Sequence, residues 1–283
     1  MKRWAFLSVI AWPESASREE LAVLLADATG MEPATLRLRI GPSPPLIVAM
    51  FEVPVAQRAA AQIDAMGGIA FAPTLDEIEA LGPTIKIRDM RFGEGRLHLD
   101  LWRSEPISID PTSIEVIIRG RRSETTIRRD DSVSPLARAP MRRRYAFGAG
   151  GAYGIAAGLS LLAGEIESRG TGATRETRLS HMIDLHTREG RVFQIDADKF
   201  GFQVLGDQRG HGDLVNTDRL CDMIAALAPG VTVDPYFSLW RPPVELGRVR
   251  FPQAALNRDD PAFALYSRWS ALLYRYMARR MGE

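Results

Sequence analysis

Residues 178–206, RLSHMIDLHTREGRVFQIDADKFGFQVLG, decide how the rest of the chain is read. Leu179, His181, Ile183 and Leu185 alternate with Ser180, Met182, Asp184 and His186, the period-two pattern of a strand with one apolar face. Arg188-Glu189-Gly190 supplies a turn in which Gly190 is free to take positive φ. Val192, Gln194 and Asp196 then alternate with Phe193 and Ile195. The stretch predicts a central β-hairpin, followed by a turn and a third extended piece.

Upstream, residues 84–89, 96–102, 113–119 and 124–128 read as further extended segments, punctuated by Gly93-Glu94-Gly95 and Gly120. With the hairpin they predict an antiparallel sheet. Downstream, Asp213 or Asn216-Thr217 can cap a helix through Leu220, Ile224 and Leu227. Residues 234–257 are proline-rich and irregular. Asp259-Asp260-Pro261 then starts a last helix with Phe263, Tyr266, Trp269, Leu273, Tyr276 and Met277 along one side. Strands, a hairpin and a closing helix are loosely similar to pleckstrin-homology-like domains, although long segments intervene.

The first 82 residues read differently. A strand over 5–11 leads to a capping-box start at Ser17 and Glu20 and a helix ending at Gly30. A short helix over 33–39, a strand over 46–51, a helix entered at Pro54 and a strand over 69–72 follow. Ala28-Thr29-Gly30-Met31, the prolines before Leu46, Ala59-Ala60-Ala61 and Met66-Gly67-Gly68-Ile69 stand at the joints of this β-α-α-β-α-β order. In these residues the segment resembles the C-terminal domain of the ribosomal stalk protein L7/L12 and the related fold of the ClpS adaptor. The lysines and the Gly-Leu-Gly-Leu loop of the stalk protein are missing, so no factor-binding residue carries over. The resemblance implies a small partner-binding domain. Thr74 caps a further short helix, and Gly82-Pro83 is the expected boundary. The expectation is an α+β protein with one domain over 1–82 and a larger mixed domain over 83–283, the latter with an antiparallel sheet and C-terminal helices.

Composition narrows the function classes. With 36 basic and 35 acidic residues the formal net charge is +1, so no global field attracts nucleic acid or an anionic membrane. The single Cys221 excludes an internal disulfide and a cysteine-rich metal cluster. It lies among Leu220, Ile224 and Leu227, where a buried free thiol in a reducing compartment is expected. The basic start and short apolar run of Trp4–Trp12 read as a first strand rather than a signal peptide, because no small-x-small cleavage site follows. No run approaches the roughly 20 apolar residues of a bilayer span. The expected location is cytoplasmic.

Few residues suggest chemistry. Asp184 and His186 share one strand face, and Asp196 and Asp198 share a face beyond the turn, so the four are the candidate metal or acid–base set. A solvated polar face is the alternative reading of the same residues. The segment 119–144 is arginine-rich and broken by Pro135 and Pro140, which reads as an exposed basic loop. Within it Arg142, Arg143 and Arg144 precede the glycines at 148, 150, 151 and 154, a candidate anion or nucleic-acid contact. Neither a dinucleotide fingerprint nor a Walker loop is present, so no cofactor is expected. No Ser–His–Asp arrangement stands out either.

Three functions fit these observations. The first is a non-enzymatic protein-binding or scaffold protein, whose partner is another protein. The second is a metal-dependent or acid–base enzyme using Asp184, His186, Asp196 and Asp198. The third is nucleic-acid binding through the arginine-rich loop 119–144.

Overall fold

The computed structural model describes residues 3–41, 43–129, 173–240 and 261–282. Residues 1–122 and 179–283 form one compact unit, and residues 123–178 a second. The fold is α+β, as expected. Its elements are β1 (Trp4–Ala11), α1 (Arg18–Thr29), α2 (Pro33–Ile40), β2 (Leu46–Glu52), α3 (Val53–Ala65), β3 (Ile69–Phe71) and α4 (Leu75–Ala80). There follow β4 (Thr84–Gly93), β5 (Arg96–Leu101), β6 (Ile107–Ile109), β7 (Ile114–Arg129), β8 (Ala173–Thr187) and β9 (Val192–Asp196). The chain then forms α5 (Asp213–Leu227), β10 (Thr232–Asp234) and α6 (Pro261–Gly282).

Local rules account for the N-terminal elements. Ser17 accepts from Glu20 N–H at 3.2 Å, and Glu20 accepts from Ser17 N–H at 2.8 Å, so α1 opens on a complete capping box. It closes at Gly30, whose φ of 71° belongs to the left-handed region. Thr74 and Glu77 repeat the box at the start of α4. The antiparallel sheet β2-β1-β3 alternates along its central strand. Ala5, Leu7 and Val9 pack on the core made with α1–α3, while Phe6 belongs to a second core on the other face. Both faces of β1 are therefore covered, and an apolar run replaces clean alternation.

The larger sheet runs β10-β7-β8-β9-β4-β5-β6. It is mixed: β8–β9 and β4–β5 are antiparallel, whereas β4–β9 and β10–β7 are parallel. The hairpin β8–β9 sits at its centre, with Asp184 opposite Gln194 and Met182 opposite Asp196. One face, including Ile183, Leu185, Phe193 and Ile195, packs against Leu220, Cys221 and Ile224 of α5. The other face is covered by α6, where Met182, Val116 and Ile118 meet Phe263, Tyr266 and Trp269.

Helix α6 also packs on Phe6, Ile47, Phe71 and Ile78, so it lies between the two sheets. Residues 263–271 are consecutively buried, the mark of a helix with no solvent face. Trp269 donates its indole N–H to Ser8 Oγ on β1 at 2.9 Å. Arg275 reaches the other way, to Glu115 and to Thr187 O. Gly120 makes room for the helix: a Cβ there would run into the ring of Phe263.

Two expectations are corrected. The third extended piece after the hairpin is a 3-10 helix over Gln203–Gln208, entered at Phe202 with a φ of 55°. The extended segments expected at 113–119 and 124–128 are one strand, so residues 119–129 belong to β7 and not to a loop, and Arg119 pairs with Asp218 of α5. The remainder of the 119–144 segment, including Arg142, Arg143 and Arg144, and the glycines at 148–154 lie outside the described residues.

Candidate functional site

Asp184 and His186 do come together, but through a third residue that the sequence did not suggest. Both project from β8 under α6, and Ser267 of α6 sits between them. Ser267 donates to Asp184 Oδ2 at 2.6 Å and lies 2.7 Å from His186 Nε2. A hydroxyl has one proton, so when it goes to Asp184 the His186 Nε2–H must donate to Ser267. His186 Nδ1 is then a bare acceptor, and it has no hydrogen-bond partner among the described residues. Gln194 of β9 donates to the other carboxylate oxygen at 2.9 Å.

The charges follow from burial. Burial pushes the Asp184 carboxyl up to about 6, opposed by the hydrogen bonds from Ser267 and Gln194 and by the Arg268 guanidinium. Burial, with Arg268 and Arg275 adding to it, pushes His186 down to about 3 and keeps the imidazole neutral. Arg268 is itself sealed in, donating to Ile78 O at 3.3 Å and Thr84 Oγ1 at 3.4 Å. The hairpin's polar face is thus buried rather than solvated.

Asp196 has partners of its own. It accepts from Ser180 Oγ at 3.0 Å and from Asp198 N–H at 3.3 Å, and Lys199 Nζ lies 3.3 Å from its other oxygen. Asp198 is half-buried at the turn beyond β9. No group of three or more His, Cys, Asp or Glu able to hold a metal occurs among the described residues. The order Asp–Ser–His also differs from a hydrolytic triad, in which histidine stands between the nucleophile and the acid. Cys221 is a buried thiol pushed up to about 12 by burial, which makes it unreactive.

A second polar site lies beneath the same helix. Asp234, the last residue of β10, is 2% exposed. Tyr266 Oη donates to its two oxygens at 2.8 and 3.0 Å, and Tyr236 N–H donates at 2.8 Å. Burial, then the Asp234 charge, raises the Tyr266 and Tyr274 hydroxyls well above the usual phenol range, so both stay protonated. This site adjoins open space. A cavity of about 810 Å³ lies between Gly41, residues 43–45, the short 3-10 helix Tyr236–Leu239 and α6.

Aromatic rings form much of its wall. Trp240 stands 5.3 Å from Tyr266 and Tyr266 5.9 Å from Trp269, centroid to centroid. Leu38, Leu239 and Tyr236 mark the mouth, with 81%, 75% and 55% of their surfaces exposed. The buried indole N–H of Trp240 has no partner among the described residues. No arginine, lysine or histidine lines the cavity among the described residues.

No family of proteins matches the chain, and neither a curated protein nor a solved structure matches it. The residues themselves carry the functional argument.

Sequence reading missed this cavity for identifiable reasons. Asp234 ends a three-residue strand inside a proline-rich stretch, and no period marks it. Tyr266 and Trp269 read as one apolar stripe. That stripe is real, but it gave no sign that the rings also border free volume. No helix among the described residues is long and apolar enough to cross a membrane.

Proposed function

We propose that this is a non-enzymatic binding protein whose recognition site is the cavity between Gly41, residues 43–45, the 236–239 segment and α6. One observation carries the reading. The open volume adjoins aromatic rings and a fixed carboxylate, while the His and Ser groups suited to chemistry are sealed under the helix. Its size and lining fall in the range of ligand sites, which are apolar clefts of about 300–1,000 Å³ with a few placed polar groups. The exposed apolar rim favours the scaffold reading, because Leu38, Tyr236 and Leu239 offer a protein partner a contact ring around the opening. The resemblance of residues 1–82 to stalk-protein and adaptor domains points the same way.

Ser43→Trp tests the site. Ser43 is exposed and lines the cavity, so an indole there occupies the opening without disturbing a core. Compounds from a diverse set should raise the Tm of the wild type and not of Ser43→Trp. A set that produces no such difference overturns the assignment.

A further inference from the structure

We infer that the cavity receives a small organic cation, an alkylammonium or quaternary ammonium group carried on an apolar body. The inference rests on the cavity being a binding site and adds the class of its occupant. Asp234 is a buried carboxylate at the cavity wall, and no cationic side chain pairs with it among the described residues. Its Tyr266, Tyr274 and Tyr236 donors orient the charge and spread it, but neutral donors remove none of it. The field of that charge extends into the cavity.

The rings add to the same preference. Trp240, Tyr266 and Trp269 are adjacent, and aromatic faces present negative potential to a cation within about 6 Å of a ring centroid. An anion meets the opposite situation: a carboxylate, π faces, and no lysine, arginine or histidine among the described lining residues. The cavity is also larger than a single ammonium group needs, so the occupant brings apolar bulk to fill it.

The test uses the full-length protein and follows tryptophan fluorescence, since Trp240 and Trp269 line the cavity. The probes are choline, benzyltrimethylammonium, the neutral analogue of each in which carbon replaces the charged nitrogen, and benzoate. Benzyltrimethylammonium should bind about tenfold more tightly than its neutral analogue, and benzoate should not bind. Asp234→Asn should remove most of that preference, and Trp240→Leu should weaken it with Asp234 intact. Trp240 is only half-buried, so the second variant serves if the first does not fold.

Equal binding of the charged and neutral probes, or preferred binding of benzoate, overturns the inference. If neutral probes bind and Ser43→Trp abolishes their binding, the cavity remains a binding site and only the charge argument fails. If no probe binds and Ser43→Trp behaves like wild type throughout, both readings fail.

Discussion

Asp184 and Asp234 are both 2% exposed, and both lie beneath α6. Their surroundings solve the cost of a buried carboxylate in different ways. Asp184 has Ser267, Gln194 and a nearby guanidinium. Asp234 has two tyrosine hydroxyls, one backbone amide and a cavity. Burying an unpaired charge is expensive, so compensation comes either from protein groups or from what can enter. The first arrangement builds a rigid joint and the second leaves room for a ligand. Equal burial therefore says little about function until the adjoining volume is known.

Removing the helix that covers both sites should have the largest effect. A chain ending at residue 260 exposes Phe6, Ile47 and Phe71 on one side and Val116, Ile118 and Met182 on the other. Each large apolar side chain of α6 contributes about 1.5–3 kcal/mol when buried. Loss of cooperative unfolding by near-UV circular dichroism and denaturant titration is expected. A fragment of residues 1–82 retains the core made with α1–α3 but bares the other sheet face. It should bind a hydrophobic dye even if it folds. A fragment that folds without binding the dye would show that residues 1–82 pack as a self-contained domain and need no cover from α6.

Arg268→Met breaks the Asp184 side alone. It retains the apolar stem and deletes the guanidinium that touches Ile78 O and Thr84 Oγ1. The expected loss is about 1–3 kcal/mol in urea titration, because Ile78 O and Thr84 Oγ1 lose a buried donor. Probe binding in the Asp234 cavity should be unchanged at temperatures where the variant is folded. Loss of both together would show that the two sites are not separate.

The pH dependence separates the members of the sealed array. Asp184 rises from 3.8 to about 6 on folding, so its contribution to stability is lost as pH rises through that window. His186 falls from 6.5 to about 3, so its contribution is lost as pH falls through that wider window. Where the windows overlap the two slopes oppose each other. Asp184→Asn leaves the histidine alone, and stability should fall from pH 6.5 downward. His186→Gln leaves the acid alone, and stability should fall from about pH 4 to about pH 6 by about 3 kcal/mol. Chemical denaturation at the two ends of the window checks the signs, and parallel profiles for the two variants would refute the assignment.

Much of this frame was legible in the sequence, and the reason is local. The capping residues Ser17 and Thr74, the αL glycine at 30 and the alternation of 179–186 act over a few residues and need no distant partner. The α+β class followed from them. The joining of Asp184 to His186 through Ser267 spans 83 positions and depends on α6 lying across β8. Alternation placed both residues on one face, but it cannot show whether water or a helix covers that face. Sequence reading broke the extended segments 113–119 and 124–128 apart at Gly120, because arginines and a glycine suggest exposure, yet β7 runs through, with Gly120 under Phe263 and Arg119 against Asp218. A cavity leaves no periodic mark at all, since it is defined by atoms that are missing between segments far apart in the chain.

The smallest expected effect gives the sharpest contrast, because the two residues are neighbours on one helix. Ser267→Ala strips a hydrogen bond from both Asp184 and His186 at a position with no solvent exposure. Two buried polar groups then lack a partner, and the cost should be about 2–4 kcal/mol. Tyr266→Phe also removes one hydroxyl from a carboxylate, with Asp234 losing donors to both oxygens. Here the adjoining cavity can admit a water to replace the lost donor, and Tyr236 N–H and the Tyr274 hydroxyl remain. The cost should be about 1 kcal/mol, so Tyr266→Phe should be the milder variant in paired denaturant titrations. The reverse order would mean that the cavity beside Asp234 stays dry, and that the tyrosine rather than solvent or ligand carries its compensation.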